Sequence, residues 1–331
     1  MKNKVLKNRY RTSNRMEDVA RLIHSKKTFV LTTHVNPDGD GLGAESALYV
    51  ALKRLGKKVY VVNHDPLPPR YFFLPFATAY RQSDKIPPHD VCIVMDAGDF
   101  TRIREGVQRD ELGVLVNIDH HYSNNYYGDY NLVMPKVAAT GEVVYRLIRQ
   151  LKVKIDKPIA ESIYVSLVTD TGGFRNSNTT PEALRLAAEL MENGADGYEV
   201  NRKIFSGISK EAMELNRISL GKIKLYDAGQ IGTMTLSRSD FKKTGAVDDD
   251  TENLINQIGK IDTVKISAFL KERADGRIKL SLRSGDEKVN VAKIANYFHG
   301  GGHTYAAGAV LIGPLKTALQ NVLKVCKKFL K

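Results

Sequence analysis

From residue 28 onward, short unbroken apolar runs alternate with stretches whose apolar residues recur every three or four positions. "TFVLTT" (28–33), "KVYVVN" (58–63), "DVCIVMD" (90–96) and "GVLVNID" (113–119) are of strand length and rich in β-branched residues. "AESALYVALKRLG" (44–56), "GEVVYRLIRQL" (141–151), "KPIAESIYVSLVTD" (157–170) and "TPEALRLAAELMENG" (180–194) carry helical spacing. In the third of these, Ile159, Ile163 and Leu167 share one stripe, and Pro158 sits near the start, where a missing N–H costs little. Thr180 is placed to cap the fourth, with Pro181 in its first turn and Gly194 as its stop. Continuous apolar strands separated by helices predict a doubly wound, mainly parallel sheet covered on both faces.

The texture changes after residue 195. Helical segments over about 198–224 precede three strand-like runs, "QIGTMTLS", "DTVKISAFLKER" and "GRIKLSLRS", the last two closing a hairpin through "ADG". A helix over "VNVAKIANYF", a glycine cluster and a final helix over "LKTALQNVLKVCKKFL" follow. The predicted organisation is a basic arm and first helix (1–27), an α/β domain (28–195), a helical linker (196–215) and a smaller α/β domain with a mixed sheet (216–331).

Composition narrows the class. Hydrophobic residues make up 42% of the 331 positions, enough for two ordinary cores, which excludes global disorder. The formal charge of +13 points to anionic partners, phosphate-rich substrates or nucleic acid before an acidic membrane surface. No apolar run approaches the ~20 residues of a membrane span, and the start, "MKNKVLKNRYRTSNR", lacks the apolar core of a secretory signal and reads as a solvated arm. The two cysteines, Cys92 and Cys326, form no CxxC pair; a reducing cytoplasm is the expected compartment.

In an open parallel sheet, ligands gather outside the carboxyl ends of the strands. Here those ends carry metal-capable groups. "THVNPDGDG" gives His34, Asp38 and Asp40; "VCIVMD" gives Asp96; "LVNID" leads into Asp119, His120 and His121; and the helix over 157–170 ends on Asp170. Alone, "NPDGDG" would be an ordinary Asx-rich turn, and a carboxylate at a helix C-terminus opposes the dipole. Four such endings at one sheet edge would repel unless cations lay among them. His plus carboxylate ligation suits Mn²⁺, Mg²⁺ or Zn²⁺, and the excess of carboxylates favours Mn²⁺. The number of donors implies two ions sharing one carboxylate. Adjacent residues in an extended segment point to opposite sides, so one of His120 and His121 is expected on the metal and the other toward substrate.

"HVNPDGDGLGA", "MDAGD", "DHH" and "TDTGGF", in that order, resemble the four motifs of the DHH phosphoesterase superfamily, and "GGGHTYAAGA" (300–309) resembles the glycine-rich signature of its DHHA1 domain. The layout is similar to the oligoribonuclease/pAp phosphatase, or nanoRNase, branch. The resemblance implies that His34, Asp38 and Asp96 hold one ion, and that Asp40, Asp96, His120 and Asp170 hold the other, with Asp96 as the bridge. It further implies that Asp119 orients the histidine pair and His121 approaches the scissile phosphate. Arg283 in "SLRS", the backbone of Gly300, Gly301 and Gly302, and His303 would bind the substrate's phosphate from the second domain across an interdomain cleft. Ala97 departs from the Thr found after the Asp in many relatives, at a position that is not a ligand.

The implied activity is two-metal hydrolysis of short single-stranded oligonucleotides of two to five residues, pApA or 3′-phosphoadenosine 5′-phosphate (pAp). Cyclic di-AMP is the alternative substrate, and cleavage polarity stays open. A family II inorganic pyrophosphatase shares the first domain's motifs but lacks "GGGH". A non-catalytic basic nucleic-acid binder would not need the carboxylates, and no GxxxxGK[ST] supports a P-loop enzyme. A RecJ-type exonuclease on long strands normally carries further nucleic-acid-binding domains. A homodimer is the expected assembly, since symmetric pairs are the commonest. Arg102, Arg104, Phe174 and Arg175 flank the motifs and suit either phosphate or base contact or a solvated role. His24, His64, His89 and His299 read as ordinary, and Tyr71, Phe72 and Phe73 as packing, with base stacking as the alternative.

Overall fold

The computed structural model describes residues 13–330 apart from 105, 206, 208, 252 and 253 and the side chain of 249. The basic arm at 1–12 lies outside the described residues. The chain forms two compact units, divided between residues 207 and 208.

In the first unit, helix α1 (Met16–Ser25) leads into strand β1 (Thr28–Thr32), followed by α2 (Gly39–Arg54), β2 (Lys58–Asn63), β3 (Tyr80–Gln82), β4 (Val91–Met95), β5 (Val114–Asp119) and β6 (Tyr130–Val133). Helices α3 (Thr140–Gln150), α4 (Lys157–Asp170), α5 (Pro181–Glu192) and α6 (Gly197–Phe205) complete it. The strands pair in the order β3-β2-β1-β4-β5-β6, every pair parallel. The chain order therefore reverses between β1 and β4, and a crevice opens at the carboxyl ends of those two strands. Alternation along β1 sends Phe29 and Leu31 to the helical side. Val30 goes to the opposite side, which Ile103, Val107 and Leu112 cover from short turns. Each fully buried Leu or Ile of this core contributes about 1.5–3 kcal/mol.

α2 and α4 approach closely because small residues face each other. A Cβ on Gly43 would lie 2.5 Å from the Ser162 carbonyl oxygen and 2.6 Å from the Ser166 nitrogen. This packing also begins α2 earlier than residue 44: Asp38 accepts from the N–H groups of Asp40 (2.9 Å) and Gly41 (3.4 Å), so the helix starts at Gly39 in spite of its glycines. The edge strands β3 and β6 span only three and four residues, too few for an alternation to be read.

The second unit contains α7 (Lys210–Leu220), β7 (Lys224–Tyr226), β8 (Ile231–Leu236), α8 (Arg238–Thr244), α9 (Leu254–Ile258), β9 (Ile266–Glu272), β10 (Ile278–Ser284), α10 (Val291–Asn296), β11 (Gly301–Gly302), β12 (Ala306–Leu311) and α11 (Leu315–Cys326). Its sheet runs β11-β12-β10-β9-β8-β7, with β8 and β9 parallel and the other pairs antiparallel. The sheet is mixed, as predicted. The β9–β10 hairpin closes where the Arg273 N–H donates to the Arg277 carbonyl (2.7 Å) and Gly276 takes a φ of +79°. Strand β7 (224–226) begins where the expected helical stretch ends, at about 224, and "AAGAVL" forms β12 although its small residues carry little strand signal.

Candidate metal centre

The crevice between β1 and β4 collects the side chains that the strand ends deliver. His34 follows β1 and is buried; its Nδ1 lies 2.8 Å from the Val35 carbonyl, which turns Nε2 toward the carboxylates. That Nε2 is 3.4 Å from Asp96 Oδ2 and 3.9 Å from Asp38 Oδ1. Asp96 follows β4 with a φ of +57°, a conformation that bulky residues rarely hold, and its N–H donates to the Ile118 carbonyl (3.0 Å). Its other oxygen, Oδ1, faces the opposite way, 3.8 Å from His120 Nε2 and 3.6 Å from His121 Nδ1. His120 Nε2 is also 3.5 Å from Asp40 Oδ2 and 3.7 Å from Asp170 Oδ2.

These donors fall into three overlapping groups: His34–Asp38–Asp96, Asp40–His120–Asp170 and Asp96–His120–His121. The structure thus brings together His34, Asp38, Asp40, Asp96, His120 and Asp170, with Asp96 presenting one oxygen to each side. The two histidines of "DHH" diverge. Their ring centroids are 4.9 Å apart at 65°, and His121 Nδ1 lies 2.7 Å from Asp119 Oδ1 while His120 turns to the other carboxylates.

A further layer holds these groups, and it is where reading the sequence fell short. The N-terminus of α3 grips Asp40: the Thr140 N–H donates to Oδ2 (2.9 Å) and the Gly141 N–H to Oδ1 (3.2 Å), and the Ser166 hydroxyl donates to the same Oδ1. The Thr140 hydroxyl donates to Asp96 Oδ1 (3.0 Å). Asn178 donates to Asp170 Oδ2 (2.9 Å), and Asn124 bridges Asn117 (2.7 Å) and Asp119 Oδ2 (2.5 Å). The helix start at "TGE" was a visible signal for Thr140; Asn124, Ser166 and Asn178 had none beyond their polarity. His64 pairs with Asp84, and His89 lies between the Pro87 and Leu112 carbonyls. Tyr71 is buried, Phe72 is exposed, and Phe73 lies under the Lys203 ammonium.

The electrostatics follow from crowding of acidic groups, with Asp40 and Asp96 buried and Asp38 half-exposed. Burial, then the charges of Asp96, Asp170 and Asp38, push the Asp40 carboxyl well above the usual carboxylate range. Burial, reinforced by Asp96 and Asp38 and opposed by His120, raises Asp170 to about 6. Burial works against ionisation of Asp38, but hydrogen bonding and charge from His34 bring it down to about 2. Burial likewise opposes charge on His34 and His121, yet Asp38 and Asp96 hold the first at about 10, and Asp119 and Asp96 hold the second at about 9. Asp40 and Asp170 thus resist ionisation unless positive charge is brought to the site. A donor set of carboxylates and imidazoles without thiolate fits divalent cations.

In the second unit, Arg283 lies on β10 opposite Ser267 and Ala306, half-buried, with Nη1 donating to the Leu282 carbonyl (3.0 Å). Gly301 and Gly302 form β11. A Cβ on Gly300 would meet the Gly308 oxygen at 2.1 Å and one on Gly302 the Ala306 oxygen at 2.5 Å, whereas Gly301 has nothing within 4 Å. Close backbone approach demands the outer two glycines. His303 is exposed, and its N–H donates to the Ala306 carbonyl (2.7 Å).

Residues 28–167 match the DHH family, N-terminal domain, and residues 233–331 match the DHHA1 domain. The bifunctional oligoribonuclease and PAP phosphatase NrnA of Thermus thermophilus is 35% identical over 302 residues, covering 90% of this chain and 89% of that protein. The chain belongs to the NrnA group of the DHH family of phosphoesterases. Another member of the group, from Bacillus subtilis, is 27% identical over 298 residues, covering 88% and 92% of the two chains. The crystal structure of an exopolyphosphatase-related protein from Bacteroides fragilis superposes with a TM-score of 0.87 at 27% identity, covering 95% of each chain. As a DHH phosphoesterase with a DHHA1 domain, the chain combines a parallel and a mixed sheet as its sequence predicts. Among the described residues, no helix is long and apolar enough to cross a membrane.

Proposed function

We propose that this chain hydrolyses the phosphoester bonds of very short oligonucleotides and of pAp, with two divalent cations, Mn²⁺ before Mg²⁺. The observation that carries the reading is Asp96, whose Oδ2 faces His34 at 3.4 Å while Oδ1 faces His120 at 3.8 Å. His34, Asp38 and Asp96 would hold one ion, and Asp40, Asp96, His120 and Asp170 the other. When bound, such a pair lowers the pKa of water and stabilises charge that develops on a phosphoryl group.

The chain's own residues do the rest. Thr140, Gly141 and Ser166 fix both oxygens of Asp40, so the ligand need not reorganise as substrate arrives. Asn124 holds Asp119, and Asp119 holds His121 through Nδ1, orienting its ring toward the scissile phosphate. In the DHHA1 region, we assign 216–331 to substrate binding. Arg283 supplies a guanidinium for a terminal phosphate, and Gly300, Gly301, Gly302 and His303 supply N–H and imidazole donors. The catalytic unit is assigned to 28–195. Support for the substrate class comes from the relatives named oligoribonuclease and PAP phosphatase.

A kcat/KM panel over two- to five-residue RNA, pAp, pApA and cyclic di-AMP with Mn²⁺ tests the reading, and turnover of short RNA and pAp is expected. Asp96→Ala should abolish turnover and reduce bound Mn²⁺ from about two per chain. Inactivity of the wild type on the whole panel, or near-normal turnover by Asp96→Ala, would overturn it.

A further inference from the structure

Arg102 ends the short turn Phe100–Arg102 that follows the Asp96 strand end. Its backbone carbonyl accepts from the Val35 N–H (2.7 Å), which ties the turn to the loop carrying His34 and Asp38. The side chain is exposed, and Nη2 stands 3.4 Å from His34 Nδ1. That contact is no hydrogen bond of consequence. His34 Nδ1 already faces the Val35 carbonyl at 2.8 Å, and a nitrogen that donates there cannot accept from a guanidinium.

A guanidinium carries five N–H donors in a planar fork and is normally matched by a carboxylate or a carbonyl. Arg104, two residues on, is matched in this way: it pairs with Glu111 and Asp84 and donates to the Asp84 carbonyl. Arg102 has no such partner among the described residues. The acid three residues before it, Asp99, is committed elsewhere. Its Oδ1 accepts from the Thr101 N–H (2.8 Å) and hydroxyl (2.6 Å), and its Oδ2 accepts from Asn125 (2.7 Å). The charge of Arg102 also reaches His121, where it opposes protonation. A cation is therefore held beside two imidazoles, at the rim of the acidic cluster, while Asp99 is engaged by other partners.

We infer that Arg102 is a phosphate clamp of the first unit: its guanidinium binds the non-bridging oxygens of the substrate phosphate next to the His34–Asp96 site. The inference rests on the phosphoesterase reading for the identity of the anion, and on the geometry for the residue. It differs from the role assigned to Arg283, which belongs to the second unit. A phosphate presents two or more oxygens to the fork, so arginine has an advantage over lysine there.

The test is equilibrium binding of pAp by calorimetry, with Ca²⁺ in place of the catalytic ion, for wild type, Arg102→Ala and Arg102→Lys, alongside kcat/KM with Mn²⁺. Arg102→Ala is expected to weaken pAp binding about 10–100-fold and to lower kcat/KM on a diadenylate similarly. Arg102→Lys should recover part of the loss. Mn²⁺ affinity and thermal midpoint should stay at wild-type values, which a merely structural role for Arg102 would not allow. Equal pAp binding by wild type and Arg102→Ala, or a loss that tracks Mn²⁺ occupancy, would overturn the clamp while leaving the phosphoesterase reading intact. Wild-type binding that Arg102→Ala weakens, without turnover of any substrate, would support the clamp and sink the phosphoesterase reading instead.

Discussion

Glu45 is an acid outside the ligand set, fully buried on α2. Both its oxygens accept from Asn63 Nδ2, at 3.1 and 3.0 Å, and Asn63 Oδ1 accepts from the Thr32 hydroxyl (3.2 Å) and the Thr33 N–H (2.8 Å). The pair thereby fixes the end of β1 one residue before His34. Burial pushes the Glu45 carboxyl from its ordinary 4.5 up to about 8, with Asn63 opposing. The folded value lies above the unfolded one, so the stability this group contributes is whole below about pH 4.5 and is lost as pH rises through about 8. Glu45→Gln keeps the shape, removes the ionisation and leaves an oxygen for Asn63. It should raise the thermal midpoint at pH 9 by on the order of 5 °C and change little at pH 4. Parallel midpoint-against-pH curves for the two proteins would show that Glu45 is already ionised in the fold.

At the level of elements, the α2–α4 contact links packing to the site. Gly43 sits against backbone atoms of Ser162 and Ser166, which cannot swing aside, and Ser166 is the residue whose hydroxyl holds Asp40. Gly43→Ala should cost about 1–3 kcal/mol, a fall in thermal midpoint of several degrees, and should weaken Mn²⁺ binding through Asp40. Calorimetry and a Mn²⁺ titration check both; a lower midpoint with unchanged affinity would show that Asp40 tolerates the shift. The same contact explains what could and could not be read from the chain. Strands β1, β2, β4 and β5 are continuous apolar runs because both faces of the sheet are covered, and that pattern survives in one dimension. β12 does not, because its alanines and glycines are chosen to let β11 and β10 approach, which is a requirement on space rather than on hydrophobicity. Likewise the convergence of His34, Asp96, His120 and Asp170 followed from their shared position at strand and helix ends. The hydrogen bonds from Ser166, Asn124 and Asn178 depend on which helix face meets which loop, information that no local spacing carries.

For the molecule as a whole, a formal charge of +13 coexists with a pocket of negative charge, so the acidic cluster is a local inversion that must be compensated where it stands. Without a cation, the protein compensates by holding protons. Asp170 keeps its proton to about pH 6, against 3.8 as its ordinary value, because of burial and then Asp96 and Asp38. His34 and His121 keep theirs to about 10 and 9, against 6.5, because of neighbouring carboxylates that outweigh burial. In each case the folded chain binds more protons than the unfolded one between the two values. The cation-free protein must therefore lose stability as pH rises, through about 4–6 for Asp170 and through about 6.5–10 for the histidines. An ion held by Asp170 and His34 replaces the protons on those two ligands, so its affinity rises over the same range. After exhaustive EDTA treatment, the thermal midpoint should fall between pH 5 and pH 8. Mn²⁺ at a hundred times its Kd should add about 2.7 kcal/mol for each site it fills, and at a fixed concentration its increment should be larger at pH 8 than at pH 5. An increment that stayed flat across this range, or an EDTA-treated protein more stable at pH 8 than at pH 5, would mean that the aspartates are neutralised by something other than the exchange of protons for metal.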